Sequence, residues 1–182
     1  MYVYCLFCMT QRCKVIAQLL EIRGVERAFS PQIVRKQRVK GENVKKRFDL
    51  LPGYVFLYSE ERLPDYSFFC GMDGIIRRVG KTDKGYELAG PDLDFAMKLL
   101  EKDGLVESMK LYHSGDEVRL EDPLFAGCEG KLIKIDYRKE RAKVAFVFDN
   151  ALREIWVSLD EVKHIRTPEG ELKDAVSERI QE

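Results

Sequence analysis

The apolar residues change rhythm at about Ser114, and this change constrains the fold more than any other feature of the chain. Beyond it, apolar residues come in short alternating segments: Gly115 to Leu120, Gly130 to Asp136, Lys143 to Phe148, Ile155 to Val157 and Val162 to Ile165. Turn signals stand between them at Asp122-Pro123, Lys139-Glu140 and Asp149-Asn150. Five short, regularly spaced strands in so small a stretch predict a little closed β-barrel over residues 114–166. Residues 167–182 carry Pro168, Gly170 and many charges without an apolar period, and are expected to form a flexible tail.

Residues 1–104 read differently. Tyr2 to Cys8 is a strand. Thr10 is placed to cap a helix that runs to about Arg23 and stops before Gly24, with Val15, Ile16, Leu19, Leu20 and Ile22 as its buried stripe. Val25 to Val34 reads as a strand interrupted by Ser30-Pro31. Gly90-Pro91-Asp92 opens a second helix with Phe95, Leu99 and Leu100 inward, and Gly104 ends it. Strands and helices in this order make the chain α+β, with residues 105–113 as a linker to the barrel.

Within the first part, Leu51 to Tyr58 is the strongest strand. Pro52-Gly53 marks a turn, and Tyr54, Phe56 and Tyr58 then share one face while Val55 and Leu57 share the other. Large rings on one face are either plain core packing or a surface kept for a partner. The strand alone leaves both open, with core packing the default.

Charge is balanced overall, 31 basic against 31 acidic residues, so its distribution carries the information. Arg35, Lys36, Arg38, Lys40, Lys45, Lys46 and Arg47 stand against Glu42 alone, around a hairpin tip expected at Gly41-Glu42-Asn43. Such a ribbon suits a phosphate backbone, or simply protects a sheet edge. Arg12 and Lys14 in the first helix are candidates to extend it. Arg138, Lys139 and Arg141 on the barrel's central turn are further candidates, or form a solvated turn.

Other classes of function find no support. No segment is long and apolar enough to span a membrane, and the N-terminus lacks the basic flank of a signal peptide, so a cytoplasmic protein is expected. The 5 cysteines are odd in number and irregularly spaced. Cys5 and Cys8 point to opposite faces of a strand, which argues for free thiols rather than a metal or redox pair. Neither His113 nor His164 has a catalytic context, no phosphate-binding glycine loop is present, and neither catalysis nor a cofactor is expected.

Taken together, the Pro-Gly-Tyr-x-Phe strand, Arg78-Val79-Gly80, and the string Gly115-Asp116-Glu117-Val118-Arg119-Leu120 followed by Phe125-Ala126, Gly130 and Ile135 to Val144 resemble the NusG family of transcription elongation factors, to about Ile165. The resemblance implies an NGN-type α/β sandwich followed by a five-stranded SH3-like KOW barrel. It implies that Tyr54 and Phe56, with Tyr4 as a looser candidate, receive the clamp helices of RNA polymerase, so that the ring face is a docking surface. It implies that Phe125 meets a barrel partner, Rho or a ribosomal protein. A departure at Thr10-Gln11-Arg12-Cys13 removes a capping acid of the first helix, and departures at Pro123-Leu124, Cys128 and Asp149-Asn150 weaken that second contact. They suit a specialised, monomeric paralog similar to LoaP or RfaH. Such a factor needs an address, expected to be an RNA hairpin or the non-template DNA strand met by the basic residues. The alternative is an RNA-binding or ribosome-associated KOW protein that does not hold polymerase.

Overall fold

The computed structural model describes residues 1–40, 42–64, 66–80, 85–114, 117–121, 123–125 and 131–164. The expectations for Gly115-Asp116, Ala126, Cys128, Gly130 and the tail lie outside these residues.

The first half is built on a four-stranded antiparallel sheet. In chain order it uses β1 (Tyr2–Cys8), α1 (Cys13–Ile22), β2 (Arg27–Phe29), β3 (Gln32–Val39), β4 (Glu42–Asp49), β5 (Tyr54–Ser59), β6 (Ile75–Val79) and α2 (Gly90–Glu101). The sheet order is β2-β5-β1-β6. Every residue of β5 is buried, because both faces of this central strand are covered. On one side Val55 and Leu57 meet Leu6 and the α1 residues Ile16 and Leu20. On the other, Tyr54, Phe56 and Tyr58 join Val3, Cys5 and the α2 residues Phe95, Ala96 and Leu99. Cys5 and Cys8 fall in these two different clusters, as their spacing predicted.

The stripe of α1 is corrected by the structure. Cys13, Ile16, Ala17 and Leu20 are its buried residues, at the helical spacing i, i+3, i+4, i+7. Val15 is 40% exposed and Ile22 80%, because each residue turns about 100° around the helix axis, and one or two steps from the stripe point away from the sheet. Thr10 starts a 3-10 turn, with no side-chain cap bond. The C-terminus closes as foreseen: Gly24 N–H donates to Glu21 O and Val25 N–H to Leu20 O, the paired bonds of a left-handed C-terminal cap. The turn before β5 also needs its glycine. Gly53 has φ +88°, and a Cβ there would sit 2.9 Å from the Phe7 ring and 3.0 Å from Cys8 O.

No free linker joins the halves. Leu105 and Val106 form β7 (Leu105–Val106), paired in parallel with Gln32 and Ile33 of β3. Residues from Met109 onward are already β8 (Met109–Ser114) of the second sheet. Val106 and Met109 are buried, which is why this apolar stretch is taken into structure.

The second half continues with β9 (Glu117–Glu121), β10 (Lys131–Asp136), β11 (Arg141–Phe148) and β12 (Ala151–His164). Its sheet has five strands in the order β10-β11-β12-β8-β9. The two last strands expected from sequence are one: β12 pairs antiparallel with β11 from Ala151 to Ser158, then parallel with β8 from Leu159 onward. Asp149 and Asn150 form the tight β11–β12 turn with φ +55° and +54°, the left-handed pair that matches strand twist.

Candidate interaction surfaces

Strand parity decides which rings share a face. Phe7 lies opposite Tyr54 in the β1–β5 register, and Cys5 opposite Phe56. Tyr4 instead pairs with Leu57 and packs on the α1 side. Its hydroxyl accepts the Leu63 N–H at 3.1 Å, and burial raises its pKa most. Tyr4 is therefore not part of the ring face. Phe7 takes that place, with its ring 5.0 Å from Tyr54. Alternation along β1 places Tyr4 and Phe7 on opposite faces, and the β1–β5 register shows that Phe7 is the one beside Tyr54.

The ring face is not open, which corrects the expectation of an exposed docking surface. Tyr54 is 3% exposed and Phe56 0%. The covering groups come from α2 and the second half. Phe148 of β11 stands edge-on to Tyr54 at 5.4 Å and lies 5.4 Å from Phe56. Phe95 of α2 stacks on Phe146 at 5.1 Å. Phe125, expected to face another partner, is itself buried, 5.2 Å from Phe146 and 6.4 Å from Phe95. The physical cause is complementarity. Ala142, Val144, Phe146 and Phe148 alternate inward along β11 and present an apolar face of matching size. Each half hides the other's rings.

A polar cluster borders this contact. The Asp149 carboxylate, its side chain only 8% exposed, accepts the Tyr54 hydroxyl at 3.0 Å and the Arg77 guanidinium of β6. Arg153 of β12 donates to the Tyr54 hydroxyl and lies 3.9 Å from Asp149. The Asp149 backbone N–H donates to Asp92 of α2 at 3.2 Å. Burial, then the bond to Asp149, pushes the Tyr54 phenol up to about 12. Burial raises the Asp92 carboxyl, against the opposing effect of the Asp149 N–H. Hydrogen bonding to Asp149 raises Arg77. Arg77 also lies 5.5 Å over the Phe7 ring and Arg153 5.2 Å over Tyr54, so cations and rings interleave along the border. In the sequence Asp149 is a turn residue and a departure from a family pattern, and nothing local marks it as the centre of this cluster.

The basic hairpin is the β3–β4 ribbon; Gly41 lies outside the described residues, while Glu42 and Asn43, expected at the tip, pair with Val39 and Arg38 and belong to β4. Lys36 faces Lys45 across the ribbon, Arg35 faces Lys46, and Val34 faces Arg47. Lys40, Lys45, Lys46 and Arg47 are exposed. The side chain of Arg38 lies outside the described residues. The ribbon's root is engaged: Lys36 pairs with Glu140 at 2.6 Å, and its N–H donates to Ser158 Oγ at 3.2 Å. Arg35 lies 4.1 Å over the Phe48 ring, and its Nε is buried without an acceptor among the described residues. Arg138 and Lys139 are exposed beside this root, while Arg141 binds Asp136 at 3.2 Å and covers the Trp156 ring at 4.2 Å. Arg12 and Lys14 are not brought to the ribbon. They sit at the start of α1, across the sheet from the ring face that the ribbon's Ile33 joins, and Arg12 Nε reaches Asp73 O at 3.5 Å.

Among the described residues no helix is long and apolar enough to cross a membrane, and no group of His, Cys, Asp or Glu is placed to hold a metal.

No family model matches the chain. Curated relatives do. The transcription termination/antitermination protein NusG of Buchnera aphidicola is 24% identical over 136 residues, 71% of this chain and 75% of that one. NusG of Vibrio cholerae is 24% identical over 132 residues, 69% and 72% of the two chains. NusG of Haemophilus influenzae is 27% identical over 111 residues, 60% of each. A solved structure described as "Domain interaction in Thermotoga maritima NusG" superposes with a TM-score of 0.53 at 14% identity, covering 87% of this chain and 93% of that one. The chain is thus similar to NusG transcription termination/antitermination proteins in sequence and shares a NusG fold.

Proposed function

We propose that this protein is a specialised NusG-type elongation factor, seen with its two halves closed on each other. On this reading residues 1–104 are the NGN-like, polymerase-binding unit and residues 114–166 the KOW barrel. Tyr54, Phe56 and Phe7 form the surface for the polymerase clamp helices, and the barrel must leave before they can be used. Once docked, the factor promotes processive antitermination at selected operons, in the cytoplasm and without catalysis of its own. The exposed cations of the β3–β4 ribbon supply the address by meeting an RNA hairpin or the non-template strand.

One observation carries this reading. The ring face is closed by residues of the other half, with a rim of ionic and hydroxyl bonds around Asp149. An ordinary core does not need such a rim, whereas a contact that must part in water gains from groups water can resolvate. The sealing of Tyr54 and Phe56 also gives the second reading, an RNA-binding regulator that never holds polymerase, its specific support.

Co-sedimentation with RNA polymerase separates them. The native chain should bind weakly, and Asp149→Asn should bind more strongly. Adding Tyr54→Glu to Asp149→Asn should abolish binding while circular dichroism stays native. If Asp149→Asn opens the halves and still gains no polymerase, the second reading replaces the first.

A further inference from the structure

The ribbon root and the turn before β11 are about a hundred residues apart in the chain, yet they form one surface. Lys36 meets Glu140 across the seam, and Lys45 flanks Lys36 on the adjacent strand. Arg138 and Lys139 directly precede Glu140 and are exposed. Arg35 lies near enough to Arg141 that its guanidinium is held below its ordinary value, by burial first and by Arg141's charge second. Two acids answer these cations: Glu140 reaches Lys36 and Asp136 reaches Arg141. Tyr137, on the same turn, is 57% exposed.

We propose that the β3–β4 ribbon and the turn carrying Arg138 and Lys139 form a single composite site for the phosphodiester backbone of a nucleic acid, assembled only while the halves are packed together. This rests on the nucleic-acid reading given above and adds which conformation binds. Cations from both halves repel across the seam, and Arg35 Nε is left without an acceptor there among the described residues. A strand of phosphates laid over both elements removes the repulsion and releases counterions from both. Tyr137 adds a flat ring on which an unpaired base can stack. By linkage, a ligand that binds the closed form better also holds the chain closed. Nucleic acid is therefore a closing ligand, and the chain reaches its address before its ring face is uncovered.

The test is fluorescence anisotropy of the full chain, without polymerase. The probes are a labelled RNA stem-loop and a single-stranded DNA of the same sequence, from about 50 to about 200 mM salt. Lys45→Ala with Lys46→Ala, and separately Arg138→Ala with Lys139→Ala, should each weaken binding about tenfold and flatten the log–log salt dependence by about 1.5–2. Asp149→Asn with Tyr54→Glu opens the seam, leaves net charge unchanged and touches neither cationic element. It should weaken binding as much as the turn pair does. If the turn pair is neutral and the ribbon pair is not, the composite site is wrong and the ribbon reading stands. If both pairs are neutral, the nucleic-acid reading falls too. If the opened chain binds equally or more tightly, packing does not assemble the site. The probe held more tightly identifies the source of the phosphates.

Discussion

Replacing Asp149 by Asn should shift the balance between closed and open halves more than any other single change in the polar rim. Asn tolerates the left-handed φ of +55° at this position, so the change isolates the charge from backbone strain. The carboxylate accepts from Tyr54 and Arg77 and lies 3.9 Å from Arg153, all donors, and its side chain is 8% exposed. An amide keeps one acceptor and turns an NH2 toward those donors. Hydrogen bonds to a charged group are worth about 1.5–3 kcal/mol. Arg77 is 48% exposed, so its share is screened and adds only a few tenths. A net loss of about 2 kcal/mol follows, which multiplies the open-to-closed ratio about 30-fold. The assay is 19F NMR with a fluorinated tyrosine at position 54, whose ring senses the edge-on Phe148 ring only when closed. Arg77→Gln serves as a control and should change the ratio about threefold. An open fraction that moves less than threefold in Asp149→Asn would refute the claim that this carboxylate latches the halves.

Other consequences follow from the same geometry. The Tyr54 phenol is raised to about 12, so the closed form keeps a proton that the open form loses near 10. Its stabilisation is whole below pH 10 and lost as pH rises from 10 toward 12. Tyrosinate absorbance should show this opening step, and Tyr54→Phe should remove it. Lys36→Ala breaks a surface ion pair whose partners are 29% and 58% exposed, and should alter the open-to-closed ratio less than fivefold by the same NMR readout. Gly53→Ala forces a Cβ against Phe7 and Cys8 at positive φ, and should cost about 2 kcal/mol. Calorimetry should then show the melting temperature about 4–8 °C lower.

Local pattern was enough for much of the architecture. The β1 and β5 alternation, the Gly24 and Gly104 helix ends, and the strands β9, β10 and β11 were legible because each depends on neighbours within a few residues, whereas β8 lies in the expected linker and β12 joins two expected strands. The basic ribbon was legible for the same reason, since charge in a hairpin is a local property. What composition and spacing could not reveal was what covers each face. A strand with rings on one side is equally satisfied by a helix, by a partner or by another part of its own chain. Alternation along β1 already separates Tyr4 from Phe7, but which of them lies beside Tyr54 was settled only by the register between β1 and β5, a long-range pairing.

By itself, then, the sequence determined that this chain makes a mixed first half, an all-strand second half and a cationic ribbon. Periodicity and turn chemistry act over short range and survive whatever the tertiary contacts turn out to be. Tertiary structure alone decided that β11 lies over the Tyr54–Phe56 face, that Asp149 sits among Tyr54, Arg77 and Arg153, and that Lys36 meets Glu140. Apart from Asp149 and Arg153 on one turn, those contacts join residues 72 to 104 positions apart, and two apolar faces seek any surface of suitable shape. Which surface they find is settled only when the whole chain is in place.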